Sequence, residues 1–411
     1  MNGLKPLIPI LVAAGILLGG NGLQGTLIAL RGAHEGFTPT IIGFMGTAYY
    51  AGFLLGCLAI VRMMQAVGHI RAFSALAAIA ASATLVMAVV IDATVWTASR
   101  FLSGFCFAGL FTIIESWLNS GVSNENRARV LSLYRIVDIG AVTGSQFVIP
   151  AVGVEGFAIF AVMTIMITLS LVPVSLGDRS NPAAPEDVKL DLKRAWAISP
   201  IAALGCIAIG VTNSAFRTLS PVYAEKIGMS TADVAAFVSV SIIGGALIQY
   251  PLGHASDRHD RRTVLLVTTA LALAAALALA LFAGSGRLVN FALVFVFGAF
   301  AMPLFSLSAA HANDRAASNE YVPLNAALML FYSFGAIVGP FAAAAAMQRF
   351  GPHALFQFSA AVYVVFIALI LWRMRVRAPA AAEERGRFTA LLRTSTVFAR
   401  LADWRNTERK R

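Results

Sequence analysis

What constrains this chain most is a succession of apolar runs, each about 20 residues long, separated by short segments rich in charge, Gly or Pro. At about 1.5 Å of helical rise per residue, one such run covers the ~30 Å hydrocarbon core of a bilayer. The runs fall at roughly 7–29, 39–61, 72–91, 94–117, 130–152, 156–176, 198–221, 232–252, 264–284, 288–310, 325–347 and 354–373. They are too long, and too uniformly apolar, to be the alternating strands of a lipid-facing barrel. With 58% hydrophobic and 12% charged residues, a chain of 411 residues lacks the polar surface to coat a soluble globule. The expectation is an all-α membrane protein of about twelve transmembrane helices. The first run leads directly into further spans and shows no cleavage pattern, so it is expected to be a span and not a signal peptide.

Lys and Arg then orient the spans. Lys5, Arg62, Arg71, Arg127, Arg129, Arg179, Lys189, Lys193, Arg194, Arg258, Arg261, Arg262, Arg315 and a basic tail from Arg373 fall on one side, against Arg31, Lys226, Arg287 and Arg349 on the other. Positive residues collect on the cytoplasmic face, which predicts two cytoplasmic termini, an even number of spans and, for a bacterial chain, the inner (plasma) membrane. The net charge of +11 therefore reports topology and anionic lipid, and no nucleic-acid partner is expected. Cys57, Cys106 and Cys206 stand singly in apolar runs, with the spacing of neither a disulfide pair nor a metal site, and no cofactor is expected.

Residues 177–197 break the apolar rhythm and read as a cytoplasmic linker between an N-terminal six-helix bundle, 1–176, and a C-terminal one, 198–375. Beyond them, residues 376–411 form a basic tail. There, Phe388, Leu391, Leu392, Phe398, Leu401 and Trp404 recur at helical spacing between arginines, as in a helix lying on the inner leaflet; a basic coil is the alternative. The two halves show self-similarity: Asn21 and Gly36 have counterparts 192 positions on in Asn213 and Gly228, and Gly140 and Gly144 have counterparts 195 positions on in Gly335 and Gly339. Parallel repeats of this kind suit a transporter built from two bundles.

Between the eighth and ninth spans lies Gly253-His-Ala-Ser-Asp257-Arg258-His-Asp-Arg261-Arg262. A Gly at a helix end permits close approach, and an Asp there pairs with Arg, so the cluster can latch helices together on one side of the membrane. This run resembles the cytoplasmic signature Gly-x-x-x-Asp-Arg-x-x-Arg-Arg of the major facilitator superfamily. The first-half loop carries Gly68, His69 and Arg71, but Val61 and Gln65 stand where the Gly and Asp would be, so a latch there would rest on hydrogen bonds. Arg100-x-x-x-Gly104 and Gly335-x-x-x-Gly339-Pro340 are similar to further elements of the same superfamily. Glu115-Ser-Trp-Leu-Asn119, together with Gly68-His-Ile-Arg71, looks like its YcaD-like group. The resemblance implies two six-helix bundles about a shared cavity, alternating access, and a gate built from Gly253, Asp257, Arg258, Arg261, Arg262, Gly68 and Arg71.

Ionisable residues inside lipid are costly unless they face a cavity or a partner, which makes each a candidate for function. Arg135 and Asp138 are three apart on one helix face, and with Glu115 they are expected to cluster in the cytoplasmic half of the first bundle. Desolvation raises a carboxylate's pKa and a neighbouring Arg lowers it, so Asp138, tuned by Arg135 and Glu115, is the proton-coupling candidate; a fixed ion pair is the alternative. Glu115 can instead pair with Arg127 or Arg129 in the gate. Asn21 and Gln24 on the first span, Asn213 and Arg217 on the seventh, and Arg100 on the fourth are candidate contacts for a small polar solute, or else glue between helices. No metal ligand set, nucleophile elbow or phosphate loop is present, so an enzyme is not expected. The function read from these residues is a proton-coupled secondary transporter acting as a monomer, with an uncoupled facilitator or a transporter-like sensor as alternatives.

Overall fold

The computed structural model describes residues 7–120, 124–176, 190–282, 284–317, 320–376 and 388, without the side chains of 120 and 124–128. Residues 177–189 of the linker, and the tail beyond 376 apart from Phe388, lie outside the described residues, and with them the tail-helix expectation. Every regular element among the described residues is a helix. Contacts group the described residues of 1–37 and 44–187 into a first unit and those of 38–43 and 188–391 into a second.

The first half of the chain contains α1 (Ile8–His34), α2 (Pro39–Val67), α3 (His69–Val89), α4 (Ala93–Ser120), α5 (Asn124–Gln146), α6 (Val148–Val152), α7 (Ala158–Leu169) and α8 (Leu171–Leu176). The second contains α9 (Leu192–Ile198), α10 (Pro200–Lys226), α11 (Thr231–Arg258), α12 (Arg261–Leu281), α13 (Arg287–Ala301), α14 (Leu304–Asn313), α15 (Tyr321–Phe350) and α16 (Ala354–Val376). Among the described residues, eleven helical stretches are long and apolar enough to cross a bilayer. The expected span at 130–152 is also helical, as α5 and α6, but α5 carries Arg127, Arg129, Arg135 and Asp138 and is not among those eleven. The tenth span is broken into α13 and α14 at Met302–Pro303, where the ring removes a backbone donor. Part of the segment read as linker is helical: α9 is capped by Asp191, whose carboxylate accepts from the Arg194 N–H. Arg194 then binds Glu320 beside α15 at 2.8 Å, and this bond holds the Glu320 carboxyl below its ordinary pKa.

The helices are apolar on both faces. Ile165, Leu247, Val338 and Val365 lie mid-helix yet are exposed, as lipid-facing residues should be. Lipid tails compete equally well for such surfaces, so helices must be held by close packing. In the first unit α2 meets α4 backbone to backbone: a Cβ on Gly52 would overlap the Phe101 carbonyl, and one on Gly104 would overlap that of Tyr49. The second unit repeats the device between α11 and α13, where Gly244 lies on the Phe295 carbonyl and Gly298 on that of Ser241. The match between Gly140/Gly144 and Gly335/Gly339 is not structural. Gly335 and Gly339 back onto the Ile207 and Val211 carbonyls of α10, whereas a Cβ on Gly140 or Gly144 would meet nothing within 4 Å.

Replacing Gly104 by Leu is expected to destabilise the protein by about 1–3 kcal/mol or more, since backbone cannot yield as a side chain can. Gly140→Ala should be neutral or slightly stabilising. Thermal unfolding in detergent, followed by size-exclusion chromatography, compares the two; equal melting temperatures would discount the glycine seam.

Candidate functional site

Polar side chains gather at three places, each within one unit. The first surrounds the middle of α1. Asn21 is the central residue of a helix running from Ile8 to His34, about 20 Å from either end and so near the depth of a bilayer midplane. Its amide donates to the Tyr49 hydroxyl on α2 at 2.6 Å. One turn on, fully buried Gln24 donates to Thr84 on α3 at 3.2 Å and accepts from the Arg100 guanidinium on α4 at 2.6 Å. The same guanidinium lies over the Tyr49 ring, 4.3 Å from its centroid, a cation–π contact strengthened by desolvation. Four helices are thereby joined around an Arg that is only 7% exposed. On another face of α1, Thr26 donates to Gln146 on α5 at 2.6 Å.

The second place is α10. Asn213 is likewise the central residue of its helix, Pro200 to Lys226. Its surroundings differ from those of Asn21, because its amide nitrogen is buried without a hydrogen-bond partner among the described residues. A buried donor left unpaired costs about 1–3 kcal/mol, so each one calls for an explanation. Arg217, one turn further along α10, is exposed.

The third place is the Gly253–Arg262 segment. Asp257 accepts from Arg261 at 3.3 Å and from the backbone N–H of Phe388 at 2.7 Å, and the Phe388 ring occupies the space a Cβ on Gly253 would need. The tighter partner of Arg261 is Asp314, after α14, at 2.6 Å, with side chains only 2% and 3% exposed. Ser256 accepts a further bond from Arg261 at 2.9 Å. Arg262 folds back on Asp260 at 2.9 Å; burial works against the Asp260 charge, but the Arg262 bonds hold that carboxyl below its ordinary pKa. Arg258 is exposed. In the first-half loop, Gly68 takes φ +82°, a left-handed conformation suited to Gly, and Arg71 is exposed.

Of the coupling candidates, Arg135 and Asp138 pair at 3.0 Å, while Glu115 is fully buried and accepts from Tyr134 at 3.1 Å. Arg129 is exposed, and the side chain of Arg127 lies outside the described residues. Three partners were absent from the sequence reading, Tyr49, Thr84 and Asp314, and His69 was read there only as part of the first-half loop. His69 is buried, bonded to Ser116 at 2.9 Å and set against the Trp117 ring, so the fragments Gly68-His-Ile-Arg71 and Glu115–Asn119 meet in space. A signal for Asp314 existed in the repeated Asp-Arg pair, Asp257-Arg258 and Asp314-Arg315, at the ends of two spans.

This placement of polar residues in an apolar helical array is accompanied by a match to the family model of the Major Facilitator Superfamily over residues 10–321 and 237–406. The chain belongs to the Major Facilitator Superfamily. Similar superfamily members include an uncharacterized MFS-type transporter of Yersinia pestis (strain Pestoides F), 27% identical over 84% of this chain and 90% of the relative. Another is the uncharacterized MFS-type transporter YcaD of Salmonella newport (strain SL254), 24% identical over 89% of this chain and 95% of its own. Among solved structures of the superfamily fold, the nucleoside transporter NupG superposes with a TM-score of 0.75 at 13% identity, covering 91% of this chain and 100% of that one. The chain is an integral membrane protein and a transporter of this superfamily.

Removing one member of a buried ion pair strands the other charge, at a cost of about 3–5 kcal/mol. Asp314→Ala is therefore expected to destabilise strongly, whereas Arg258→Ala should stay within about 0.5 kcal/mol of the parent. Unfolding midpoints of the two variants check this, and similar values would demote the Arg261–Asp314 bond.

Proposed function

We propose that the chain carries a small polar solute across the bacterial inner membrane by alternating access, driven by protons, as a monomer with both termini cytoplasmic. The observation that carries the solute part is the buried, unpartnered amide of Asn213 at the centre of α10. A donor at that depth is explained if a transported molecule supplies its acceptor. Asn21, Gln24 and Arg100 make up the polar cluster of the first unit, in which the Arg100 charge is held by Gln24 and the Tyr49 ring and would reach a solute only by exchanging those contacts. Arg217 lies one turn beyond Asn213 and adds a second cation.

Proton coupling is assigned to Asp138, whose side chain is 16% exposed beside Arg135 at 34%. Protonation would release Arg135, and the 3.0 Å bond would re-form on deprotonation, which links proton occupancy to the charge that this face of α5 presents. A second reading, favoured by the same short bond, makes the pair a fixed strut of α5 and leaves transport uncoupled. The Gly253–Arg262 segment, Gly68 and Arg71 are assigned to gating, with the Asp257 and Arg261 contacts broken and re-made as the units rock.

Two outcomes are expected. For any solute that raises the melting temperature of the purified protein, Asn213→Ala should bind it about tenfold more weakly, with unliganded stability equal to or above the parent's, because an unsatisfied donor has been removed. A destabilised variant with unchanged binding would make Asn213 structural. In proteoliposomes, Asp138→Asn should abolish gradient-driven accumulation and flatten the pH dependence of flux while exchange of solute persists; an unaltered pH profile would support the strut.

A further inference from the structure

At the end of the second unit where α10 and α12 begin and α14 and α16 finish, a cleft of about 230 Å³ is lined by Ser199, Ile201, Arg262, His311, Arg315 and Arg373. No carboxylate is among its lining residues. Three guanidiniums face one space. Asp260 occupies one edge of Arg262, and Arg373, whose guanidinium carbon lies 5.8 Å from the Trp372 ring centroid, has no carboxylate partner among the described residues. His311 is 4% exposed and has no hydrogen-bond partner among the described residues. The first turn of α10 adds backbone donors: Ser199 caps the helix by accepting from the Ala202 N–H at 3.3 Å, and Pro200, having no N–H, leaves that of Ile201 as the next donor at the mouth.

Planar guanidinium forks, an imidazole N–H and a helix N-terminus converging with a single carboxylate, Asp260, against three guanidiniums are the recognition chemistry of phosphate. The cleft is shallow and open to solvent, with little enclosed space at its base, so it suits a small anionic group seated at its mouth and not an engulfed drug-sized ligand. It is also set apart from Asn213, being at the end of α10 and not at its centre.

We propose that this cleft binds a phosphate-bearing anion, supplied either by an anionic phospholipid headgroup or by a soluble phosphate. A bound phosphate ties the starts of α10 and α12 to the ends of α14 and α16, and it satisfies both Arg373 and His311. Because Arg262 belongs to the segment assigned to gating, occupancy is linked to the state of that segment, whichever solute is carried.

The full chain, purified in neutral detergent and chloride buffer, is titrated separately with dioctanoyl phosphatidylglycerol and with inorganic phosphate, following the melting temperature. The wild type should show a saturable rise, weakened about tenfold or more in Arg373→Gln and Arg315→Gln and unchanged in Arg287→Gln, which removes a charge at the other end of the unit. A response to the lipid alone identifies a headgroup site, and a response to inorganic phosphate identifies a soluble-phosphate site. Should Arg315→Gln fail to fold, Arg373→Gln, altered at the half-buried end of α16, carries the comparison. No response to either probe, or equal responses in wild type and both cleft variants, overturns the proposal.

Discussion

Close backbone approach at glycine is the constraint on which the rest of this structure depends. In hydrocarbon every backbone group must be bonded within its own helix, and apolar side chains gain nothing by leaving lipid for protein. Helices then stay together only where they approach closely enough for dispersion contacts and short dipolar interactions to accumulate. Gly52 and Gly104 make α2 and α4 such a pair, and Gly244 and Gly298 do the same for α11 and α13. The same seams fix the rotation of each helix about its axis, and that rotation decides which polar side chains meet.

The polar groups fall into two kinds. Gln24 and Arg100 are mutually satisfied, as is the Arg261–Asp314 pair, and each arrangement makes the position of several helices interdependent. Asn213 is a donor in waiting at the centre of its helix. Its sequence counterpart Asn21, at the centre of α1, is occupied by Tyr49. Two halves of related pattern thus hold one closed and one open polar position, each at the centre of its own helix. The Arg262–His311–Arg373 cleft lies at the ends of its helices, where charge is cheaper to maintain than at their centres.

Local spacing carried much of the candidate site. Three residues on a helix place side chains on one face, so the Arg135–Asp138 pair follows from numbering alone, and the successive positions of Asn21 and Gln24 on α1 follow in the same way. The partners across helices did not follow, because Tyr49, Thr84 and Asp314 are 28, 60 and 53 positions from the residues they bind. No periodicity encodes such distances. Sequence matching also misled over Gly140 and Gly144: they align with Gly335 and Gly339, yet only the latter two press against a neighbouring backbone. In the α1–α5 contact the close approach comes instead from α1, where a Cβ on Gly22 would lie 2.8 Å from a Val142 methyl.

Hydropathy and charge along the chain determined that it is helical and lipid-embedded and where its spans lie, because transfer of about 20 residues into hydrocarbon is an additive, local free energy. They also showed which few residues bear an unusual cost by being polar at depth. Which of those costs is met inside the protein, at Arg100 and Arg261, and which is left open, at Asn213, was decided only in the tertiary structure. A hydrogen bond requires two groups within about 3 Å in the right orientation, and that depends on how distant helices rotate and pack.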